Sequence, residues 1–475
     1  MQLRDSIRHH FVAARRVAVA VLATVAVAGC SATESLLEVS DPDIINPGDV
    51  QTSQAANALR LGALARLNTA TTGGGASGNG GESSFLLGGM LADEYRSSDT
   101  FGQRNETDRR AVQVTNGNVS DAFRTLHRAR LSADQAIAAL RKFEAPAWQI
   151  AQMYLVQAFV ENQMAQDFCG HLPFSTVIDG KENLGNPLTT QATLERALAH
   201  ADSGLRELPA TSADTATQTL IHALSVLKGR ILVNLDRPAD AATAVASVPV
   251  GFRYFLEHSA NTNTNAIWSL GNSNGRWYVS QGEGTNGLNF ATAADPRLVV
   301  CRLVGTAKQG CGTDTPVSAP FDNTTPVVDG VRLHIQQKWP GRYDRVAILT
   351  GVEAGLIRAE AQLDAGQSGT ALATLNDLRA NGGVAGLAAL TDAGTPAARV
   401  DQLFRERAFW LFGTGQRLGD MRRLIRQYGR TQDQVFPVGA YWKGGNYGTD
   451  VTLPVPQAEE NNTNFVRASC VTSAA

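Results

Sequence analysis

Charge is scarce in this sequence. Only 18% of its 475 residues are Asp, Glu, Lys or Arg, and 42 basic against 44 acidic side chains leave a net charge of -2. A balance so close to zero excludes a basic nucleic-acid footprint or an acidic tail as the main theme. Hydrophobic residues still make up 43%, enough for a large core, which excludes wholesale disorder. After residue 30 no apolar run approaches the roughly 20 residues that a membrane-spanning helix needs. There is no Cys-x-x-Cys, no His-x-x-x-His or His-Glu-x-x-His, no Gly-x-Ser-x-Gly elbow and no Walker loop. Zinc, redox, serine-hydrolase and nucleotide-binding readings therefore have no support, and no cofactor is expected. Loop Asn and Asp residues leave calcium open, without EF-hand spacing to favour it. The Gly-rich tract at 73–81 lacks a Lys-Ser/Thr end and reads as a flexible linker.

What is present begins at the N-terminus. Arg4, Arg8, Arg15 and Arg16 give a positive start, Val17 to Ala28 is an apolar core, and Val27-Ala28-Gly29 places small residues directly before Cys30. The apolar stretch is too short to span a bilayer comfortably but suits an export signal. The cysteine at the cleavage point resembles a bacterial lipobox. Cleavage after Gly29 and acylation of Cys30 would leave a tethered, water-soluble body held by two or three acyl chains. The alternative is an ordinary signal peptide with an accidental cysteine. The domain reading is a signal over 1–29 and a single domain over 30–475. With Cys30 spent on lipid, an even four cysteines remain, which permits disulfides in an exported protein. Cys301 and Cys311 lie close together in a loop-rich stretch and are the expected pair; Cys169 with Cys470 follows by elimination.

Helical periodicity organises much of the rest. Ser31 to Pro47 reads as an extended leader, and Asp49 as the cap of a helix through about Asn68. Phe85 to Arg96 is expected to be a short helix followed by a polar loop. From Val119, the residues Phe123, Leu126, Ala129, Ala133, Ile137 and Leu140 recur at three- and four-residue steps and line one apolar face. Helices are also expected over Trp148–Asp167, Leu194–Leu208, Thr217–Leu235, Ala239–Ala246, Tyr343–Gly366 and Gly369–Arg379. The paired layout, with small residues such as Gly229 at close approaches, resembles tetratricopeptide hairpins without a strict repeat. The fold class is thus mainly α, a tetratricopeptide-like helical-repeat scaffold over about 48–248 and 343–475. Between them, 249–342 loses the helical period and becomes an irregular, partly β insertion with short strands at Leu298–Val304 and Val327–Gln337, the kind of segment that carries recognition.

The segment Gln402 to Arg426 carries a family resemblance. Glu406-Arg407, Phe409-Trp410-Leu411, Gly413, Gly415, Arg417, Gly419-Asp420 and Arg422-Arg423 resemble the C-terminal signature of the SusD/RagB family of outer-membrane nutrient-binding lipoproteins. Leu356-Ile357-Arg358-Ala359-Glu360-Ala361 with Ala373 to Arg379 resembles its preceding helix pair, and Leu453-Pro454-Val455-Pro456 with Glu459 and Asn462 its ending. Met421 departs from the usual Leu. The resemblance implies a binding protein, not an enzyme. Such a lipoprotein sits on the outer membrane, exposed at the cell surface, as a lid over a SusC-type TonB-dependent β-barrel transporter. It captures an oligosaccharide or peptide and delivers it to the pore. The rival readings are a lipid-anchored helical glycoside hydrolase, which needs a carboxylate pair that no motif supplies, and an envelope adaptor that uses its helical repeats without a small ligand.

For ligand contact the residues point to loop aromatics: Trp268, Trp277, Tyr278 and Phe290 in the insertion, and Tyr441, Trp442 and Tyr447 in the Gly-rich C-terminal loop. A flat ring offers its face to the C–H side of a sugar while loop amides take the polar groups. Trp277 and Trp442, flanked by Gly, Arg or Lys, are the first choices; the competing role for each ring is to anchor a long loop. Glu406, Arg417, Asp420, Arg422 and Arg423 read as buried ion pairs that pin the Gly413–Gly415 turn. Asp93, Glu94, Asp99, Arg104 and Asp108 form a polar cluster that could line the ligand face, the preferred reading being a solvated loop.

Overall fold

The computed structural model describes residues 50–74, 83–178, 181–304, 307–312 and 331–475. The signal segment, Cys30 and the extended leader lie outside the described residues, as does most of the Gly-rich tract. Thr52–Ala475 form one compact unit.

Twelve helices carry the described unit: α1 Ser53–Thr71, α2 Ser84–Leu91, α3 Gly102–Asp108, α4 Gly117–Lys142, α5 Ala147–Asp167, α6 Thr190–Arg206, α7 Thr215–Asn234, α8 Pro238–Ala244, α9 Gly351–Asp364, α10 Ser368–Asn381, α11 Pro396–Trp410 and α12 Arg417–Arg426, besides shorter helical turns. The helix starts follow local chemistry. Thr52, Asn116, Thr189, Asp214, Thr350 and Thr395 each turn a side-chain oxygen onto the free N–H groups of the first turn. α4 buries one face, from Val119 through Phe123 and Leu126 to Leu140. α5 is buried all round over its second half, because helices pack on several sides of it.

Successive helices pack on one another: α4 on α5, α5 on α6, α6 on α7, α7 on α8, α8 on α9 and α9 on α10. That serial stacking is a helical-repeat scaffold. Gly229 sits where three of these helices meet. A Cβ there would press on Val245 and stand 3.2 Å from Ile357 Cδ1, so only glycine lets α7 come so close to α8 and α9.

The strands are short and antiparallel. Besides three pairs of two- and three-residue strands, they are β1 Tyr95–Ser97, β2 Arg253–Leu256, β3 Trp277–Val279, β4 Val300–Val304, β5 Ala307–Gln309, β6 Val331–Gln336 and β7 Val346–Thr350. β1 pairs with β3, β7 with β2, and β4 lies between β5 and β6. Two expected helices are corrected here. α2 ends at Leu91, because Tyr95–Ser97 is taken into the ladder with Trp277–Val279. The helix expected from Tyr343 begins at Gly351, because Val346–Thr350 pairs with Arg253–Leu256; an aliphatic, β-branched run fits a buried strand as well as a helix.

Both disulfides are formed, Cys301–Cys311 with Cα atoms 4.5 Å apart and Cys169–Cys470 with Cα atoms 5.2 Å apart. The first closes a small apolar cluster of Tyr278, Cys301, Leu303, Leu333 and Ile335.

The signature segment is scaffold. Arg407 meets the Asp420 carboxylate twice, at 2.8 and 2.9 Å, and Arg423 reaches Asp420 at 3.0 Å and also pairs with Glu360. Burial alone would raise Asp420, but the two guanidiniums hold its carboxyl below the ordinary range. Glu406 is shared by Arg297 at 2.7 Å and Arg379 at 2.6 Å. Arg422 donates to the carbonyls of Ala165 and Gln166 and so caps the C-terminal end of α5. Gly413 and Gly415, at φ 70° and 73°, make the turn between α11 and α12.

Candidate functional site

One surface gathers the first turn of α3, the loop before β3 and the C-terminal loop. Asp99 is its pivot, with no exposed side-chain area. Its Oδ1 accepts the N–H of Phe101 at 3.1 Å, which starts α3. Its Oδ2 takes Arg276 at 2.8 Å and also pairs with Arg104, and its backbone carbonyl takes the Lys443 ammonium. Burial works against the charge of Asp99, but the hydrogen bond from Arg276 and the charge of Arg104 hold its carboxyl below the ordinary range. Three chain segments far apart in sequence are thereby fixed around one carboxylate.

Phe101, set by that pivot, is 54% exposed. The guanidiniums of Arg104 and Arg276 stand 5.3 and 5.2 Å from its ring centroid. Both are held by Asp99, so ring and cations form a preset arrangement. Lys443, reaching across from the C-terminal loop, also donates to Asn105 Oδ1 at 3.0 Å. An exposed flat ring bordered by fixed N–H donors and an amide can stack on the C–H face of a sugar and hydrogen-bond its hydroxyls.

Behind this rim lies a buried aromatic and ionic layer. Asp108 Oδ2 accepts the Tyr441 hydroxyl at 2.9 Å, the Trp442 indole N–H at 3.1 Å and the Ser97 amide at 3.0 Å. Arg96 covers the Trp442 ring at 4.2 Å and reaches Glu283 at 3.1 Å, and Glu283 accepts the Tyr447 hydroxyl at 2.7 Å. Tyr278 meets Trp442 edge-on with centroids 6.3 Å apart, and Tyr441 meets Tyr447 at 5.3 Å. Burial first, and then the neighbouring charge of Glu283, lift Asp108 to about 7. The Tyr441 and Tyr447 hydroxyls are pushed up by burial and by these carboxylates, so both remain donors.

The structure thus brings four of the seven expected aromatics together: Tyr278, Tyr441, Trp442 and Tyr447. Trp277, beside Tyr278 in β3, meets Tyr95 instead, with ring centroids 6.3 Å apart. Trp268 lies elsewhere, under Arg342 at 5.1 Å. Trp268, Trp277, Tyr278 and Tyr441 are buried, as is Phe290 between Phe409 and Phe412, so these rings anchor loops to the body; Trp442 and Tyr447 are half-buried. Trp277, a first choice as a ring near solvent, is only 1% exposed, because it is drawn into the ladder opposite Ser97.

The expected solvated loop is also corrected. Asp93, Glu94, Asp99, Arg104 and Asp108 are all buried, because partners from distant segments meet the four acids and Arg104 folds onto Asp99. Arg417 grips Asp93 at 2.6 and 2.8 Å, and the Gly413 amide donates to Glu94 at 2.9 Å. Phe101 escaped the sequence reading, being a lone ring in a polar stretch; its one signal was the adjacency of Asp99 and Arg104, whose spacing lets the carboxylate fold back on the first turn of a helix. No group of three His, Cys, Asp or Glu residues suited to a metal ion occurs among the described residues.

Comparison with solved structures places the fold. A SusD superfamily protein from Bacteroides thetaiotaomicron is 15% identical, with a TM-score of 0.62 over 88% of this chain and 99% of that one. A SusD superfamily protein from Parabacteroides distasonis is 14% identical, with a TM-score of 0.61 over 88% and 99% of the two chains. Surface glycan-binding protein A from Bacteroides thetaiotaomicron, solved in complex with laminarihexaose, is 15% identical, with a TM-score of 0.62 over 88% of this chain and 100% of that one. No family model matches the chain, and no curated protein matches it in sequence. At such identities the likeness establishes the SusD-like fold.

Proposed function

We propose that this chain, which has the fold of the SusD superfamily, is a surface-anchored binding protein that captures an oligosaccharide and hands it to a SusC-type TonB-dependent transporter in the outer membrane. The carrying observation is Phe101, an exposed ring flanked by two guanidiniums that one buried carboxylate holds in place. The similar fold of a glycan-binding protein solved with laminarihexaose supports a sugar over a peptide. In this reading Phe101 stacks on a sugar ring, and Arg276, Lys443 and Trp442 border the bound chain. Binding is modest, since a ligand must leave the surface to enter a transporter. The protein performs no chemistry on its ligand, and the lipid on Cys30 holds it at the membrane.

Titration calorimetry against a panel of β-glucans, α-glucans and peptides tests the ligand. Micromolar-to-millimolar binding of one glycan class, recovered intact, is expected, and cleaved product would sink the binding-protein reading. Co-purification of the lipidated protein from outer membranes in mild detergent tests the partner. A stoichiometric large β-barrel supports the transporter reading; soluble envelope proteins in its place would favour the adaptor.

A further inference from the structure

A cavity of about 280 Å³ opens between β2, β7 and the turn that follows α10, with the end of α11 as its far wall. Four cations line it, Arg253, Arg297, Lys338 and Arg345, against one carboxylate, Glu353. The charges do not cancel within it. Both Glu353 oxygens are taken by Arg230, at 2.6 and 2.7 Å, and Arg297 is held by Asp295 and Glu406. Among the described residues, Arg345 pairs with the exposed Glu257, at 3.6 Å.

Arg253 and Lys338 have no carboxylate within ion-pair distance among the described residues. Arg253 donates to the backbone carbonyls of Val250, Phe252 and Gly382, and Lys338 to those of Trp410 and Phe412. Among the described residues, the hydrogen bonds of these two half-buried cations thus go to neutral carbonyls, an arrangement that an incoming anion relieves. Burial, together with the charges of Arg297 and Arg253, lowers Lys338 to about 8 although Glu94 counters it, so the ammonium persists at neutral pH.

The remaining walls are flat and apolar. Trp339, Trp410 and Phe255 line the same space, with Arg345 lying over Phe255 at 3.9 Å and Lys338 over Trp339 at 5.0 Å. Trp410 lines the cavity with its ring, and its indole N–H is buried with no hydrogen-bond partner among the described residues. Gly382 is required for this geometry, since a Cβ there would stand 2.6 Å from the Trp410 ring.

We infer that this cavity is a binding site for a carboxylated sugar, a uronic acid residue, whose carboxylate meets Arg253 and Lys338 while its ring lies against Trp339 and Trp410. An inorganic anion would use the cations but not the rings, and a neutral sugar the rings but not the cations. The site is separate from the Phe101 surface and does not rest on it.

Calorimetry of the full chain with glucuronate, glucose and inorganic phosphate decides the matter. Glucuronate is expected to bind and to change the tryptophan fluorescence, with glucose and phosphate each weaker by about tenfold or more. Arg253→Gln is expected to weaken glucuronate by about tenfold to a hundredfold. Should that variant fail to fold, Arg345→Ala, at an exposed position, is expected to cost about threefold to tenfold. The inference is overturned if glucose or phosphate binds as tightly as glucuronate, if glucuronate does not bind at millimolar concentration, or if folded variants bind it as the parent does.

Discussion

The indole N–H of Trp442 ends on the carboxylate of Asp108, 3.1 Å away, and the same oxygen also takes the Tyr441 hydroxyl. One buried acid on α3 therefore fixes the orientation of the C-terminal aromatic loop. Arg96 occupies one face of the Trp442 ring, so the ring cannot turn without breaking both contacts. The layer beneath the Phe101 surface is thus rigid before any ligand arrives, which lowers the ordering cost of binding.

Replacing Phe101 by Ala is expected to lower glycan affinity by about tenfold while leaving the melting temperature within a degree or so, because truncating an exposed ring removes stacking energy but little core. Calorimetry and differential scanning on the same preparation check both halves. Unchanged affinity would move the sugar site away from this ring.

Stability is expected to fall as pH rises from about 6.5 to about 8.5; below that window His127, His222 and His258, all lowered by burial, gain stability with rising pH and oppose the slope. Burial lifts Asp108 to about 7, and lifts Glu94 and Asp167 to about 8. A carboxyl whose folded pKa lies above its unfolded value near 4 binds its proton more tightly when folded. The stability it supplies is complete below about 4 and is lost as pH climbs through the folded value. Asp99, Asp295 and Asp420 are lowered and act oppositely, withdrawing stability in acid. A thermal-melt series across this range should therefore peak on the mildly acidic side, and Asp167→Asn should flatten the alkaline slope. A profile that rises between about pH 6.5 and 8.5 would contradict the assignment.

Gly415→Ala is expected to destabilise by about 2–4 kcal/mol, combining a left-handed backbone with overpacking. The residue has φ 73°, and a Cβ there would run into the Phe85 ring. Gly429→Ala makes the comparison: its φ is 64° but nothing lies within 4 Å, so only the backbone cost of about 1–2 kcal/mol applies. Chemical denaturation of the two variants separates clash from conformation.

Removing the two disulfides is expected to have unequal effects. Cys169–Cys470 closes a sequence separation of 301 and Cys301–Cys311 one of 10. Loop entropy then assigns about 6 kcal/mol to the first and about 3 to the second. Melting of the two double-alanine variants tests the order, and equal losses would argue that native packing, not loop closure, dominates.

The helical scaffold is legible in the sequence because its signal is local. The face from Phe123 to Leu140 declares a helix in a single stretch of chain, and the signature around Arg407 and Asp420 is readable as buried ion pairs. The strands are less so: Val346–Thr350 has no period that separates strand from helix, and its partner Arg253–Leu256 lies far back in the chain. The same nonlocality hides the site. Asp99 and Asp108 read as solvated loop acids, since nothing near them announces Arg276, Tyr441 or Trp442. Loop aromatics stand out as a group, but burial divides them, and the exposed ring at Phe101 belongs to a segment where only acids and arginines draw attention.

The pairing of early acids and arginines with late residues also sets an order in time. Asp93 is neutralised by Arg417, the Arg110 guanidinium is capped by the Asp450 carbonyl at 2.8 Å, and the Asp167 carbonyl meets the Leu453 amide at 2.7 Å. A chain emerging from its N-terminal end can wind α4 to α8 early, but it carries these groups without their partners until residues 417–453 have followed. Final closure is therefore a late event, and until then the half-finished molecule stays open along the seam that its last segment will fill.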